Sequence, residues 1–240
     1  MIGHPDKGPW VLVDAGMPKC GSEILDVVQK RFGKDNPPSA ILLTHGHFDH
    51  VGGLIYLLEK WDVPVYAHPL EFPFLTGVKA YPNPDSSVEG GLLAKISFIY
   101  PTSPIDIQTR LHSLPPDHTL PFLPGWQWIH TPGHSPGHIC LFRESDRTLI
   151  SGDALITVKK DSLYQVLLQK EEISGPPRYL TTDWPKAWDS VKNMNSLLPQ
   201  LVIPGHGNAM NGPSLREGLG ILAREFDTLA IPDHGKYLEE

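Results

Sequence analysis

The chain has 240 residues, 40% of them apolar and 20% charged, an ordinary globular composition that excludes a disordered or coiled-coil protein. Its 20 basic residues against 27 acidic ones leave a net charge of −7, which argues against nucleic acid or an anionic membrane as partner, since both require concentrated positive charge. No apolar run approaches the roughly 20 residues that span a bilayer, Met1 to Trp10 holds no signal-peptide core, and Cys20 and Cys140 make no disulfide framework, so a soluble cytoplasmic protein is expected.

Trp10-Val11-Leu12-Val13 reads as a buried strand that runs into Asp14-Ala15-Gly16. Ser22 is placed to cap a helix through about Phe32, with Ile24, Leu25, Val27 and Val28 as its apolar stripe and Gly33 as its stop. A second strand, Ala40-Ile41-Leu42-Leu43, precedes a polar loop. A helix with Leu54, Ile55, Leu57 and Leu58 follows, then the strand Pro64-Val65-Tyr66-Ala67. Strand, helix, strand, helix, strand is the order of an α/β fold. From Phe72 to Pro124 regularity dissolves among prolines, leaving one helix around Val88–Ser97. So long an irregular stretch reads as a lid or pocket wall, and the expectation is a single domain over 1–240 with a Pro-rich insertion or lid over 72–124. Strands then recur at Trp126–His130, Ile139–Phe142, Thr148–Ser151 and Leu201–Ile203, with helices over 159–170, 184–197 and 214–229.

The chemistry is concentrated in Thr44-His45-Gly46-His47-Phe48-Asp49-His50, where three imidazoles and a carboxylate occupy six positions between a strand and a helix. Imidazole nitrogen and carboxylate oxygen suit zinc, and also iron or manganese. A turn at Gly46 can aim His45 and His47 at one point, while Asp49 and His50 face a neighbouring one. Four ligands cannot fill two catalytic sites, so more are expected downstream. Thr131-Pro132-Gly133-His134 with His138 four residues on, Ser151-Gly152-Asp153 and Pro204-Gly205-His206 each place a ligand-type side chain just past an apolar strand, where α/β folds carry their ligands.

In that order, with Val13-Asp14-Ala15-Gly16 upstream, these motifs resemble the metallo-β-lactamase superfamily over about residues 10 to 210. The resemblance implies a four-layer αββα sandwich with two metal ions at one edge. His45, His47 and His134 would hold one ion, Asp49, His50 and His206 the other, and Asp153 would bridge them. Asp14 and His138 would orient ligands without binding metal. Family members begin with a β-hairpin, and only nine residues precede Trp10 here, so the expected fold lacks part of that hairpin.

The implied function is hydrolysis by a metal-bridged hydroxide, with two divalent ions, zinc favoured over iron or manganese, and Asp49 passing a proton to the leaving group. His50 and Asp153 differ from the residues of the antibiotic-degrading enzymes and place the chain beside glyoxalase II, lactonases and phosphodiesterases. Ile156 stands where quorum-quenching lactonases typically carry a tyrosine, with Tyr164 and Tyr179 as other candidate substrate contacts. Trp126 and Trp128 suggest an apolar pocket, so the expected substrate is a small-molecule ester, lactone or thioester, with no nucleic-acid or membrane partner and a homodimer left open. The alternatives are a mononuclear iron persulfide dioxygenase, a phosphodiesterase, and an inactive, N-terminally shortened family member.

Overall fold

The computed structural model describes residues 1–4, 7–89, 94–158 and 171–238. It divides into two compact units, one formed by Met1–Tyr81 with Pro101–Pro124, the other by Pro82–Tyr100 with Gly125–Glu240.

The first unit is built on a five-stranded mixed sheet in the order β1 (Ile2–His4), β2 (Lys7–Val13), β3 (Ala40–Leu42), β4 (Val65–Ala67) and β5 (Leu111–Ser113). β1 and β2 are antiparallel and form a short hairpin ahead of Asp14, while every later pair is parallel. The parallel pairs need crossovers, which are α1 (Gly21–Phe32) between β2 and β3, and α2 (Phe48–Val51) with α3 (Leu54–Lys60) between β3 and β4. β3, β4 and the Trp10–Leu12 stretch of β2 are apolar and covered by helices and loops, and Trp10, Ile41, Leu43, Leu54, Leu57 and Val65 are buried together. Trp10 stacks on Phe32 of α1 with ring centroids 4.1 Å apart, fixing that helix to the sheet.

Two readings of this unit are corrected. The position capping α1 is Cys20, whose side chain makes no capping bond, and Ser22 falls inside the first turn. The helix starts two residues early, with Gly21 in its first position packed against Tyr56, where a Cβ would lie 2.7 Å from the ring. The Pro-rich stretch also holds structure that its composition conceals: α4 (Phe72–Leu75), and β5, a short polar strand that closes the sheet beside β4. Of the helix expected around Val88–Ser97, residues 90–93 lie outside the described set, Ala94 and Lys95 are helical, and Ser97–Ile99 is a 3₁₀ turn.

The second unit carries a five-stranded mixed sheet, β6 (Trp126–His130), β7 (Ile139–Arg143), β8 (Thr148–Gly152), β11 (Leu201–Pro204) and β12 (Met210–Asn211) in spatial order 12-11-8-7-6. A separate antiparallel pair, β9 (Ile156–Val158) and β10 (Glu171–Ser174), was not expected from the sequence. The helix expected over 159–170, with Tyr164, lies outside the described residues. α5 (Trp184–Ser196) opens on Asp183, whose side chain accepts from the Lys186 amide, and runs against α6 (Gly212–Arg224). The single helix expected over 214–229 is broken at Glu225, after which α7 (Phe226–Leu229) starts afresh. The break lets Phe226 turn inward, fully buried and stacked at 6.0 Å on Trp188. Trp184 and Trp188, four residues apart on α5, therefore form a packing face.

Cys140 on β7 donates its Sγ hydrogen to the Ser151 carbonyl at 3.2 Å, and burial pushes its thiol up to about 12. Cys20 is only partly buried. A thiol reagent at pH 8 should therefore titrate one cysteine per native chain, that at Cys20, and two after denaturation; two fast thiols in the native protein would contradict this packing. No helix among the described residues is long and apolar enough to cross a membrane.

Candidate metal centre

In the first unit, β2 and β3 end side by side, and their C-terminal loops carry the chemistry. Asp14 leaves β2 in the left-handed region, φ 54°, a conformation that Asp tolerates better than most residues. Its amide donates to the Leu42 carbonyl at 2.9 Å, which turns its carboxylate towards the next loop. There Oδ1 accepts from the Thr44 amide and Oδ2 from the Thr44 hydroxyl, both at 2.8 Å, and Oδ2 also meets His50 Nδ1 at 2.8 Å. Asp14 thus ties the two ends of the histidine loop together.

These contacts assign histidine tautomers. The Thr44 hydroxyl has one hydrogen and gives it to Asp14, so at 3.1 Å it accepts from His45 Nδ1. A carboxylate only accepts, so His50 also carries its proton on Nδ1. In both rings Nε2 then presents a lone pair, the form in which imidazole binds a metal. His47 lies edge-on to His45 with centroids 4.6 Å apart, and caps α2, whose first turn holds Asp49 and His50. Beneath the turn, the Gly46 amide donates to Glu71 Oε2 at 3.0 Å and to the Tyr81 hydroxyl at 2.9 Å, and Tyr81 in turn donates to Glu71. Burial, then the Glu71 carboxylate, hold the Tyr81 phenol well above its ordinary range, so it stays a neutral donor.

The second unit repeats the arrangement with different partners. The Thr181 hydroxyl donates to the Pro177 carbonyl at 2.9 Å and so accepts from His134 Nδ1 at 3.2 Å, leaving a lone pair on His134 Nε2. Gly133, at φ 130°, allows this approach because a Cβ there would lie 2.4 Å from the Ala187 backbone nitrogen. Asp153 follows β8, with Oδ2 at 3.6 Å from His134 Nε2 and 3.3 Å from His206 Nε2. His138 is occupied at both nitrogens: Nε2 accepts from the Asp153 amide at 3.0 Å, and Nδ1 donates to the Thr131 hydroxyl at 2.8 Å. It therefore orients Asp153. His206 sits on a loop that β9 holds through Thr157, whose amide donates to the His206 carbonyl at 3.2 Å.

Among the described residues, two sets of side chains could hold metal. The ligand atoms of His45, His47 and His134 lie within 4.8 Å of one another, and those of Asp49, His50, Asp153 and His206 do likewise. Sequence reasoning singled out every member of both sets. It missed Glu71, Tyr81, Thr44 and Thr181 as supports. Tyr179 is buried against Val88, Ala94 and Leu180, and with Ile156 it lines a cavity of about 560 Å³ in the second unit. Trp126 and Trp128 are buried in β6, Trp126 beneath the Arg143 guanidinium at 4.8 Å.

The sequence profile of the metallo-beta-lactamase superfamily matches residues 1–206. This chain belongs to that superfamily. It is 44% identical over 220 residues to a probable metallo-hydrolase, YflN, of Bacillus subtilis (strain 168), an alignment covering 92% of this chain and 83% of that one. It is 31% identical over 163 residues to a hydroxyacylglutathione hydrolase of Erwinia tasmaniensis, covering 68% of this chain and about half (49%) of the relative. Among solved structures, TTHA1623 in a di-iron-bound form matches with a TM-score of 0.59 at 30% identity, over 93% of this chain and 91% of the other. The α/β metallo-β-lactamase fold expected from the motifs is the fold of this chain. Superfamily membership and the His/Asp cluster together support a metal-dependent hydrolase that takes divalent ions.

Proposed function

We propose that this protein hydrolyses an ester, lactone or thioester bond of a small molecule with two divalent ions, zinc being favoured, in the cytoplasm. The observation that carries the reading is the place of the Asp153 carboxylate, whose Oδ2 lies 3.6 Å from His134 and 3.3 Å from His206. A buried acid set between one histidine of each ligand set stands where it could bridge two cations, whose charge would offset the cost of burying it. The donor set fits such ions, being all imidazole nitrogen and carboxylate oxygen, with Nε2 of His45, His50 and His134 held in the ligating tautomer. His45, His47 and His134 would hold one ion, Asp49, His50 and His206 the other, with Asp153 bridging. When bound, divalent ions supply Lewis acidity and lower the pKa of water towards about 7.

The chain's own residues do the rest. Asp14 keeps His50 turned towards its ion, and His138 does the same for Asp153. Asp49, in the first turn of α2 and only partly buried, can pass a proton to the departing alkoxide or thiolate. An acyl substrate fits a chain of net charge −7 better than an anionic phosphodiester does. The relative named as a hydroxyacylglutathione hydrolase points to the same class.

Elemental mass spectrometry of the purified protein should find about two divalent ions per chain, and a panel of esters, lactones, thioesters and phosphodiesters should then show turnover of the acyl substrates. A single iron per chain with oxygen uptake on a persulfide would overturn the hydrolase reading. Turnover of phosphodiesters alone would overturn the substrate class.

A further inference from the structure

We propose that Tyr81 and Glu71 are positioning residues that hold His47, and through the Gly46 peptide the whole His45-Gly46-His47 turn, in the geometry that receives a metal ion. The inference rests on the reading that His45 and His47 are ligands. It assigns the support beneath them to two residues with no place in the metal-binding motifs.

The Gly46 amide belongs to the one residue between the two histidines, so anchoring it restrains the backbone on both sides. It is anchored twice, at 3.0 Å to Glu71 Oε2 and at 2.9 Å to the Tyr81 hydroxyl, and the Tyr81–Glu71 hydrogen bond closes the triangle. Both supports are buried. A carboxylate placed there is stabilised only by donors aimed at it, and these two donors meet the same oxygen. Tyr81 adds a second restraint, because its ring stands at 61° to the His47 imidazole with centroids 4.4 Å apart. The phenol is itself clamped by Phe74, stacked at 3.9 Å and 14°. Glu71 ends a 3₁₀ turn, Pro69–Glu71, that His68 caps by accepting the Leu70 amide at 3.2 Å. The fit is close enough to dictate the residue between the ligands: a Cβ on Gly46 would come within 2.6 Å of the Tyr81 oxygen and 3.0 Å of Leu75. Glycine in the His-x-His turn is thus required by the pair beneath it.

A positioning role and a purely structural one differ in what they move. Tyr81→Phe keeps both ring packings and removes one hydroxyl. Glu71→Gln keeps an acceptor oxygen, and Glu71→Ala removes it. Each variant and the unaltered protein are titrated with cobalt(II), reading affinity by competition with a chelator and ligand geometry from the visible absorption bands, alongside a thermal melt. The expected result is a roughly 10- to 100-fold loss of cobalt affinity with displaced bands for Tyr81→Phe and Glu71→Ala, partial recovery in Glu71→Gln, and folded protein throughout. Unchanged affinity and bands in Tyr81→Phe would overturn the inference, as would losses that merely follow lowered melting temperature. Unaltered protein that takes up no cobalt would instead sink the metal-centre reading, and this inference with it.

Discussion

Replacing Asp153 by alanine is expected to abolish hydrolysis, lowering kcat/KM by more than about a hundredfold, while the protein stays folded; His47→Ala should behave alike. Changes that only disturb the support of a ligand typically cost 10- to 100-fold, so loss of the ligand itself should exceed that. Asp153 is the side chain shared by His134 and His206, and in the proposed two-ion reading its loss leaves Asp49 as the one carboxylate in the two ligand sets. The fold should tolerate the change. Asp153 lies in the loop after β8, outside the apolar core of Cys140, Phe142, Leu149, Val191 and Val202, and its backbone amide keeps its bond to His138. Steady-state rates on the best substrate of the panel, metal content and a thermal melt check all three parts. A variant that kept more than a few per cent of activity would contradict the two-ion mechanism.

What the sequence made legible was what is local. His45, His47, Asp49 and His50 sit within one short loop, and a loop after an apolar strand in an α/β pattern has one place to go, so their convergence followed from spacing. His134, Asp153 and His206 were legible only as a series, since each alone is an ordinary turn residue. The supports were not legible because they act across long separations of chain. Glu71 reaches Gly46 over 25 residues, Tyr81 over 35, and Thr181 reaches His134 over 47. No pattern of apolar periodicity registers a buried tyrosine–carboxylate pair at the start of a proline-rich stretch. The same limit hid β5, where Leu111-His112-Ser113 has neither alternation nor length, and is a strand because β4 offers it an edge. Ser22 was misjudged for a related reason: capping propensity favoured it, but the packing of Gly21 on Tyr56 set where α1 begins.

The Asp14→Asn protein should keep its fold and lose 10- to 100-fold in affinity for the ion held by His50, with a matching fall in activity. Asparagine is accepted in the left-handed conformation at φ 54°, so the backbone adds no strain. The consequence lies in proton placement. Oδ1 accepts the Thr44 amide hydrogen, and an NH₂ turned to that side would set donor against donor, so the amide nitrogen takes the place of Oδ2. There it faces the Thr44 hydroxyl and His50 Nδ1, both of which had donated to a carboxylate oxygen. To accept from the new NH₂, His50 must move its proton from Nδ1 to Nε2, and an imidazole protonated at Nε2 has no lone pair there for a metal. The Thr44 hydroxyl must also turn away, which frees it to donate to His45 Nδ1 and to bias that ring towards the same non-ligating tautomer. One oxygen-to-nitrogen exchange therefore acts on a histidine of each proposed ligand set while leaving shape almost untouched. Asp14→Ala would lack the wrongly placed donor and should retain more metal than Asp14→Asn. Metal titration of the two variants side by side decides the matter. The order Asn below Ala below the unaltered protein requires the tautomer argument, and the reverse order for the two variants would reduce Asp14 to a spacer.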